Sequence, residues 1–183
     1  MGWKYKVMLY VELTTASLIA SVNVRGQNPT EFQVKAVFVY NFVNFVEWPS
    51  SAFEQPSDPF VIGIAGHNVF GASLADAVVG ETYRSRRIEI RYIENAAEAV
   101  KCHIVYIENT CDFFEQVLQS AGDKPILTIA DTKDFMQKGG MIRFYLERNQ
   151  LRMEINQRVA SNRGLTISSK LLRLARVYNN SDD

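Results

Sequence analysis

The stretch PFVIGIAG, residues 59–66, decides the fold class of this 183-residue chain. It is a short apolar run that follows a proline and ends in a glycine, and both residue types favour turns. A strand with one wet face alternates apolar and polar side chains, but this run has no polar position. The stretch therefore predicts a strand covered on both faces, as in a parallel sheet flanked by helices.

The segments around this strand alternate between helical and extended patterns. In order, they predict a helix over 68–80, a half-exposed strand RRIEIRYI (86–93), a short helix NAAEAV (95–100), a strand HIVYIE (103–108), a helix over 111–122 and a strand over 126–130. Asp131 is then expected to cap one or two helical turns that end at Gly139 and Gly140. The pattern predicts α/β architecture, with an open, mostly parallel sheet of about six strands flanked by helices.

The C-terminal part predicts an antiparallel hairpin in MIRFYLERNQLRMEIN, residues 141–156. Ile142, Phe144 and Leu146 alternate on one face, which Leu151, Met153 and Ile155 are expected to join. Arg152 and Glu154 are expected to point outward from the second strand. A turn region, RVASNRG, and a last helix capped by Ser168 or Ser169 follow. The predicted buried stripe of that helix is Leu171, Leu172, Leu174, Ala175 and Val177.

The N-terminal part of the domain predicts an amphipathic helix over residues 32–47, which Pro49 ends. Thr30 and Gln33 have the spacing of a capping box. Lys35 lies in the apolar arc near the helix start, where its long stem is expected to carry the ammonium outward.

The opposite, polar arc of this helix carries Tyr40, Asn41 and Asn44. Together with the outward Arg152 and Glu154 of the hairpin, these residues form the predicted contact surface for a protein partner, because tyrosine and arginine suit interface anchoring.

The first residues read as a secretory signal peptide over 1–26. Lys4 and Lys6 precede a short apolar run, and small residues follow it. Glu12 within that run argues against this interpretation. The remaining residues, 27–183, form one predicted domain. Twenty basic and twenty acidic residues balance, so no net charge attracts nucleic acid or a membrane surface.

A small-ligand site is the alternative function, because open parallel sheets bind ligands beyond the carboxyl ends of their strands. Gly66, His67, Asn68 and Asp131 are the candidate residues there. Loop and capping chemistry is favoured, since neither G-x-G-x-x-G nor a Walker A sequence occurs. His67 is a candidate general base near Asp131, but a base needs a positioned partner.

No other group predicts catalysis, a metal or a cofactor. His103 is expected to pack in the core. Cys102 and Cys111 flank an extended strand, which would hold them too far apart for a mutual disulfide. The arginines of YRSRRIEIR alternate with isoleucines, as on a solvated strand face. These patterns favour a binding or regulatory protein.

The chain resembles the YfiR family over residues 30–178. The resemblance rests on KAVFVYNFVNFVEWP, CHIVYI, ILTIADTKDFMQKGGMIRFYLERNQLRMEIN and ASNRGLTISSKLLRLARV, in this order and spacing. Its fold-defining positions here are Asn41, Trp48, Pro49, Gly139, Gly140, Asn156, Ser168 and Leu171.

This resemblance implies a periplasmic α/β regulator without catalytic activity. It implies a homodimer that restrains a membrane-bound diguanylate cyclase through the cyclase's periplasmic region, and an outer-membrane lipoprotein that sequesters the restrainer. Cyclic di-GMP and biofilm formation would then depend on this chain. Some members pair a cysteine that matches Cys102 with one in the strand spelled FVIGIA here, which has none.

Overall fold

The computed structural model describes residues 30–179. The predicted signal peptide, residues 1–26, lies outside this range. Within it, no helix has the length and apolar character needed to cross a membrane.

Six α-helices, one short 3-10 helix (Ser50–Ala52) and ten strands make up the described chain. The helices are α1 Glu31–Phe45, α2 Ser73–Val78, α3 Ala96–Ala99, α4 Phe114–Ala121, α5 Gln157–Asn162 and α6 Ser169–Leu172. The strands are β1 Val46–Glu47, β2 Phe60–Ala65, β3 Thr82–Tyr83, β4 Arg86–Ile93, β5 Ile104–Ile107, β6 Leu127–Ala130, β7 Ile142–Glu147, β8 Gln150–Ile155, β9 Thr166–Ile167 and β10 Arg176–Val177.

The main sheet has eight strands in the order β10-β8-β7-β6-β5-β2-β4-β3. The five central strands, β4, β2, β5, β6 and β7, run parallel to one another. Strand β8 is antiparallel to its hairpin partner β7 and parallel to β10, and the short edge strand β3 is antiparallel to β4. This confirms the α/β class, and the two-residue strands β3 and β10 extend the sheet beyond the predicted six.

Strand β2 is buried at every position, as its apolar run predicts. Phe60, Ile62 and Ile64 face the core beneath α1, whereas Val61 and Ala65 face a second core packed against α3 and α4. Both faces of the sheet are therefore covered.

Helix α1 begins with the predicted capping box between Thr30 and Gln33. The helix ends at Phe45, two residues before the predicted end, because Val46 and Glu47 pair with Ile167 and Thr166 in a separate two-stranded sheet. This pairing turns the chain so that the following tryptophan enters the core.

Three local predictions were wrong. The turn region RVASNRG contains α5, because the side chain of Asn156 accepts the Val159 N–H and caps a helix. The predicted helix at 68–80 is reduced to α2. Residues 133–139 form turns, not a helix capped by Asp131.

The last helix is also shorter than predicted. Ser168 caps it as expected, but it ends at Leu172. Leu174 and Val177 are exposed, at 66% and 40%, because Arg176 and Val177 leave the helix and pair with β8. Only part of the predicted buried stripe is therefore buried.

Candidate functional site

Three of the four predicted ligand-loop residues lie together where β2 ends. Gly66 has a φ of +96°, and a Cβ there would come within 3.1 Å of the Cβ of Glu108, so this turn requires glycine. The Asn68 side chain accepts the Phe70 N–H at 3.2 Å and donates to the Tyr92 hydroxyl at 3.0 Å. Both residues shape the loop.

His67 lies at the same edge but is not positioned for base catalysis. Its Nδ1 is 3.3 Å from Thr110 Oγ1 and 3.9 Å from Glu108 Oε2. The Thr110 hydroxyl donates to Glu108 at 2.5 Å. The His67 side chain is 86% exposed, so solvent surrounds the imidazole. The predicted partner Asp131 is engaged elsewhere.

Asp131 forms a buried charged cluster with α1. Its Oδ2 accepts hydrogen bonds from Lys35 Nζ at 2.5 Å and from the Tyr106 hydroxyl at 3.1 Å. Lys35 also contacts Glu31 Oε1 at 2.5 Å, and only 3% of Lys35 is exposed. The expectation that Lys35 carries its ammonium outward was wrong. The ammonium is buried, and the carboxylates of Glu31 and Asp131 stabilise it there.

Tyr106 and the second oxygen of the Asp131 carboxylate are both buried next to this ion pair. Burial, reinforced by the Asp131 charge, raises the pKa of Tyr106. Asp131 Oδ1 is buried and accepts no hydrogen bond in the described chain. The sequence signal for this cluster was a lysine on an apolar helix face, together with an aspartate directly after a buried strand.

His103 is a structural histidine. Its Nδ1 accepts the Val61 N–H at 3.0 Å, so the neutral ring carries its proton on Nε2, which lies 3.1 Å from the Ala52 carbonyl oxygen. The ring stacks on Phe53 and Phe60. Burial lowers the pKa of His103 to about 4, so the imidazole stays neutral. The prediction that it packs in the core is confirmed.

Both cysteines are free and buried. Burial raises the pKa of Cys102 to about 11, which keeps the thiol protonated and a poor nucleophile. A Cβ built on Gly63 of β2 would lie 2.7 Å from Cys102 Sγ, so this glycine faces the thiol directly.

Within residues 30–179 no cluster of histidine, cysteine and carboxylate side chains has metal-binding geometry.

The polar arc of α1 is partly accessible. Asn44 is exposed, whereas Tyr40 and Asn41 are half-buried. The Asn41 amide donates to the Val37 carbonyl at 2.8 Å within the helix. Hydrogen bonding to Glu81 and burial raise the pKa of Tyr40. Asn44 is therefore the most open of the three.

The other two predicted contact residues, both on β8 of the hairpin, differ in their exposure to solvent. Arg152 is exposed, but Glu154 is 4% exposed, so the expectation that Glu154 points outward was wrong. Glu154 accepts from Arg143 on β7 at 2.9 Å and lies 3.4 Å from Arg176 on β10. Because β10 pairs beside it, this position is enclosed by strands on both sides.

The arginines before and within β4 are held by neighbouring groups. Arg86 stacks over the Phe53 ring at 4.0 Å and donates to two backbone carbonyls. Arg87 and Arg91 both pair with Glu89. On the expected solvated strand face, the arginines therefore form ion pairs with the glutamate between them.

Trp48 of the EWP motif is a core residue. Its indole N–H donates to the His103 carbonyl at 3.2 Å, and its ring meets Phe60 and Tyr83 edge-on at 4.7 and 5.6 Å. The motif therefore defines the fold by joining α1 to the beginning of β5.

Comparison with known proteins places these features in a family. Residues 32–176 match the family model described as YfiR/HmsC-like, DUF4154. No curated protein matches the sequence.

The solved structures that match the chain include the following two. A conserved domain protein of Vibrio cholerae O1 biovar eltor has a TM-score of 0.52 at 11% identity, over 84% of this chain and 62% of that one. The chain thus spans less than two thirds of that structure, and the likeness shows the fold alone. An ABC domain in complex with L-Trp from Streptococcus pneumonia has a TM-score of 0.46 at 16% identity, over 65% of this chain and 55% of that one. The chain belongs to the YfiR/HmsC-like family.

Proposed function

We propose that this chain is a periplasmic regulatory protein that binds and restrains an inner-membrane diguanylate cyclase, and so controls cyclic di-GMP signalling and biofilm formation. The observation that carries the proposal is the family match over residues 32–176. The apolar N-terminal run that reads as a signal peptide supports export.

The geometry of the reactive side chains supports a binding function. His103 and Trp48 hold the core, and Asp131 holds α1 to the sheet. Cys102 is a buried thiol with a raised pKa. Each of these residues contacts other parts of the fold. We therefore expect binding to other molecules to use exposed side chains.

The mechanism we propose is a population shift in the cyclase. A regulator that binds the inactive state of the cyclase's sensing region more tightly than the active state lowers the active fraction. An outer-membrane lipoprotein that binds the same regulator would remove it and raise cyclic di-GMP. We include a homodimer of this chain in the proposal.

Exposed residues of the predicted contact surface are the first candidates for this binding. Asn44 and Arg152 are accessible, and Tyr40 and Asn41 lie beside Asn44 on α1. Glu154 is removed from this set, since it is buried between Arg143 and Arg176.

The test is a deletion strain complemented with the wild-type chain. We expect cyclic di-GMP and biofilm mass to rise on deletion and to return to the original level on complementation. Purified mature chain should bind the cyclase's periplasmic region in calorimetry. Unchanged cyclic di-GMP in the deletion strain, or no binding in calorimetry, would contradict the proposal.

A further inference from the structure

Strand β4 forms a largely unpaired edge of the main sheet. It runs over Arg86–Ile93, and β2 pairs with its inner side from Ile88 to Ile93. On its outer side, β3 pairs only with Arg86 and Arg87. No other strand within residues 30–179 pairs with this outer side. We call the outer side of residues 88–93 the open edge, because its backbone groups are available to another strand.

The turn before β4 shows which backbone groups point to the open edge. Arg84 and Ser85 join β3 to β4 and have φ values of +48° and +68°, as in a two-residue type I′ hairpin. A hydrogen-bonded pair closes such a turn, so the backbone N–H and C=O of Arg86 face β3. This direction alternates along a strand. The residues of the open edge that share the orientation of Arg86 are Ile88, Ile90 and Tyr92.

The pairing of β2 gives the same orientation independently. The carbonyl oxygens of Val61 and Ala65 accept the N–H groups of His103 and Glu108, so the odd-numbered residues of β2 face β5. Its even-numbered residues therefore face β4, where their register partners are also even-numbered. In a parallel pair, a residue bonds to the two neighbours of its register partner. The odd-numbered residues of β4 thus bond to β2, and the even-numbered ones face outward.

The side chains of β4 divide between its two faces. Arg87, Glu89 and Arg91 lie on one face, where the glutamate forms ion pairs with both arginines. The residues on the other face are Ile88, Ile90 and Tyr92. The two isoleucines pack at the border of the core beneath α1, whereas the tyrosine is 54% exposed. A second strand at the open edge would therefore extend one charged face and one apolar face.

We infer that two copies of this chain pair antiparallel through their open edges, in a register centred on Ile90, so that their sheets join. This register places Glu89 opposite Arg91 of the second copy, and it places Ile88 opposite Tyr92 of the second copy. Opposite charges, and an aromatic ring beside a β-branched side chain, are both favourable cross-strand pairs. The outward backbone groups of the two strands would form about six hydrogen bonds.

The neighbouring registers are unfavourable. A register centred on Glu89 would place two glutamates opposite each other and Arg87 opposite Arg91. A register centred on Arg91 would place two arginines opposite each other. Like charges directly opposite destabilise a strand pair. Pairing an even-numbered with an odd-numbered residue would set an outward backbone group against one that already bonds to β2. The register centred on Ile90 avoids each of these conflicts.

Other occupants of the open edge fit less well. Charges of a single sign protect an edge by repelling a second copy, but here Glu89 alternates with arginines and attracts one. Pairing of β4 with the β8 edge of another copy is a head-to-tail contact, which does not close and would produce open chains. The match of β4 with its own reversed sequence favours a second copy over an extended segment of another protein.

The homodimer belongs to the proposed function, on which this inference rests for its biological role, and sedimentation of the purified mature chain measures it. We expect Glu89→Arg alone and Arg91→Glu alone each to weaken dimerisation about tenfold or more, because each places like charges opposite each other at two positions. An equimolar mixture of the two variants should dimerise again. In the mixed pair, each arginine at these positions faces a glutamate of the other copy.

The double variant Glu89→Arg, Arg91→Glu separates pairing from folding. It keeps an ion pair within the strand and should dimerise with itself as the wild type does, but it should not form mixed dimers with the wild type. The matched control is the exposed pair Glu147 and Arg152, on the hairpin away from β4 in the sheet order. Glu147→Arg or Arg152→Glu should change dimerisation less than about twofold, since charges distant from an interface are screened.

Three outcomes would overturn the inference. One is a dimer that the β4 variants leave unchanged, and this result leaves the proposed function standing. Another is a mixture of the two single variants that stays as weak as each variant alone. The third is a wild-type monomer at all concentrations up to about 1 mM. If the β4 variants then weaken binding to the cyclase's periplasmic region in calorimetry, the open edge binds a partner segment and not a second copy. Failure of the proposed function itself is measured separately, by wild-type calorimetry and the deletion strain.

Discussion

Lys35 Nζ lies 2.5 Å from Asp131 Oδ2, and this contact joins the first helix to the carboxyl end of β6 across 96 residues of chain. Both partners are buried or nearly so, and Tyr106 donates to the same oxygen. The pair therefore fixes α1 over the sheet and removes Asp131 from the predicted ligand loops.

Replacing Lys35 with methionine leaves the Asp131 carboxylate beneath α1 without its cation. We expect a loss on the order of 3 kcal/mol in the free energy of unfolding, as for other broken buried pairs. Urea unfolding measures it. The double variant Lys35→Met, Asp131→Asn should recover most of the loss, because the remaining amide is neutral. Equal stability of wild type and Lys35→Met would show that the pair is not coupled to folding.

His103 makes stability depend on pH. Its pKa is about 4 in the folded chain, below its ordinary value of 6.5, so the unfolded chain binds more protons between these values. Stability from this group is fully present above pH 6.5 and is lost as the pH falls towards 4, by about 3 kcal/mol in total. Urea midpoints from pH 4 to 7.5 measure the slope.

A substitution that removes the titrating ring provides the control for this experiment. His103→Asn should flatten the slope, because the asparagine side chain does not titrate in this pH range. A slope that persists in His103→Asn would assign the dependence to other groups.

The position of Gly63 beside Cys102 is suitable for an engineered disulfide. Its built Cβ lies 2.7 Å from Cys102 Sγ, close enough for a bond once the Ile93 methyl yields. We expect Gly63→Cys to form a crosslink with Cys102 under oxidising conditions and to unfold more readily after reduction. Thiol titration and mass spectrometry detect the bond, with Gly63→Cys, Cys102→Ser as the control. Three titratable thiols in the oxidised, denatured variant would contradict the geometry, because the bond leaves only Cys111 free.

Glu154 and Arg152 have different roles despite their proximity on β8. Glu154→Ala would leave the Arg143 guanidinium poorly compensated inside the sheet edge, with a loss of about 2 to 3 kcal/mol. Arg152→Ala removes an exposed side chain and should change stability by less than about 0.5 kcal/mol. Thermal unfolding of both variants compares them, and similar losses would refute the buried role of Glu154.

Asn44 tests the α1 surface. Its side chain is exposed, so Asn44→Arg should leave the melting temperature nearly unchanged. If α1 contacts the cyclase, the variant should raise cyclic di-GMP in the complemented deletion strain. The control is Asn109→Arg, which lies in the loop after β5. Cyclic di-GMP at the wild-type level with Asn44→Arg would remove α1 from the contact surface.

The sequence predicted the strongly patterned elements of the fold. The apolar run of β2, the capping box of α1 and the alternation of the β7–β8 hairpin are local patterns, and the structure confirms each one. Hydrophobic periodicity reports which faces are buried, so it sufficed for the α/β class and for the succession of the main strands along the chain.

The candidate site was less predictable. Local spacing assigned Asp131 to a cap and Glu154 to the outside, but both are paired with residues on other elements. A charged side chain shows its partner only after the chain folds, because the compensating charge is distant in sequence.

The sequence by itself determined the α/β class, the paired hairpin and the resemblance to a family of regulators, since these depend on local patterns and motif order. Only the tertiary structure decided that Lys35 is buried, that Glu154 is enclosed and that the last residues form β10. Those outcomes depend on contacts between distant segments, where burial forces each charge and backbone group to find a partner.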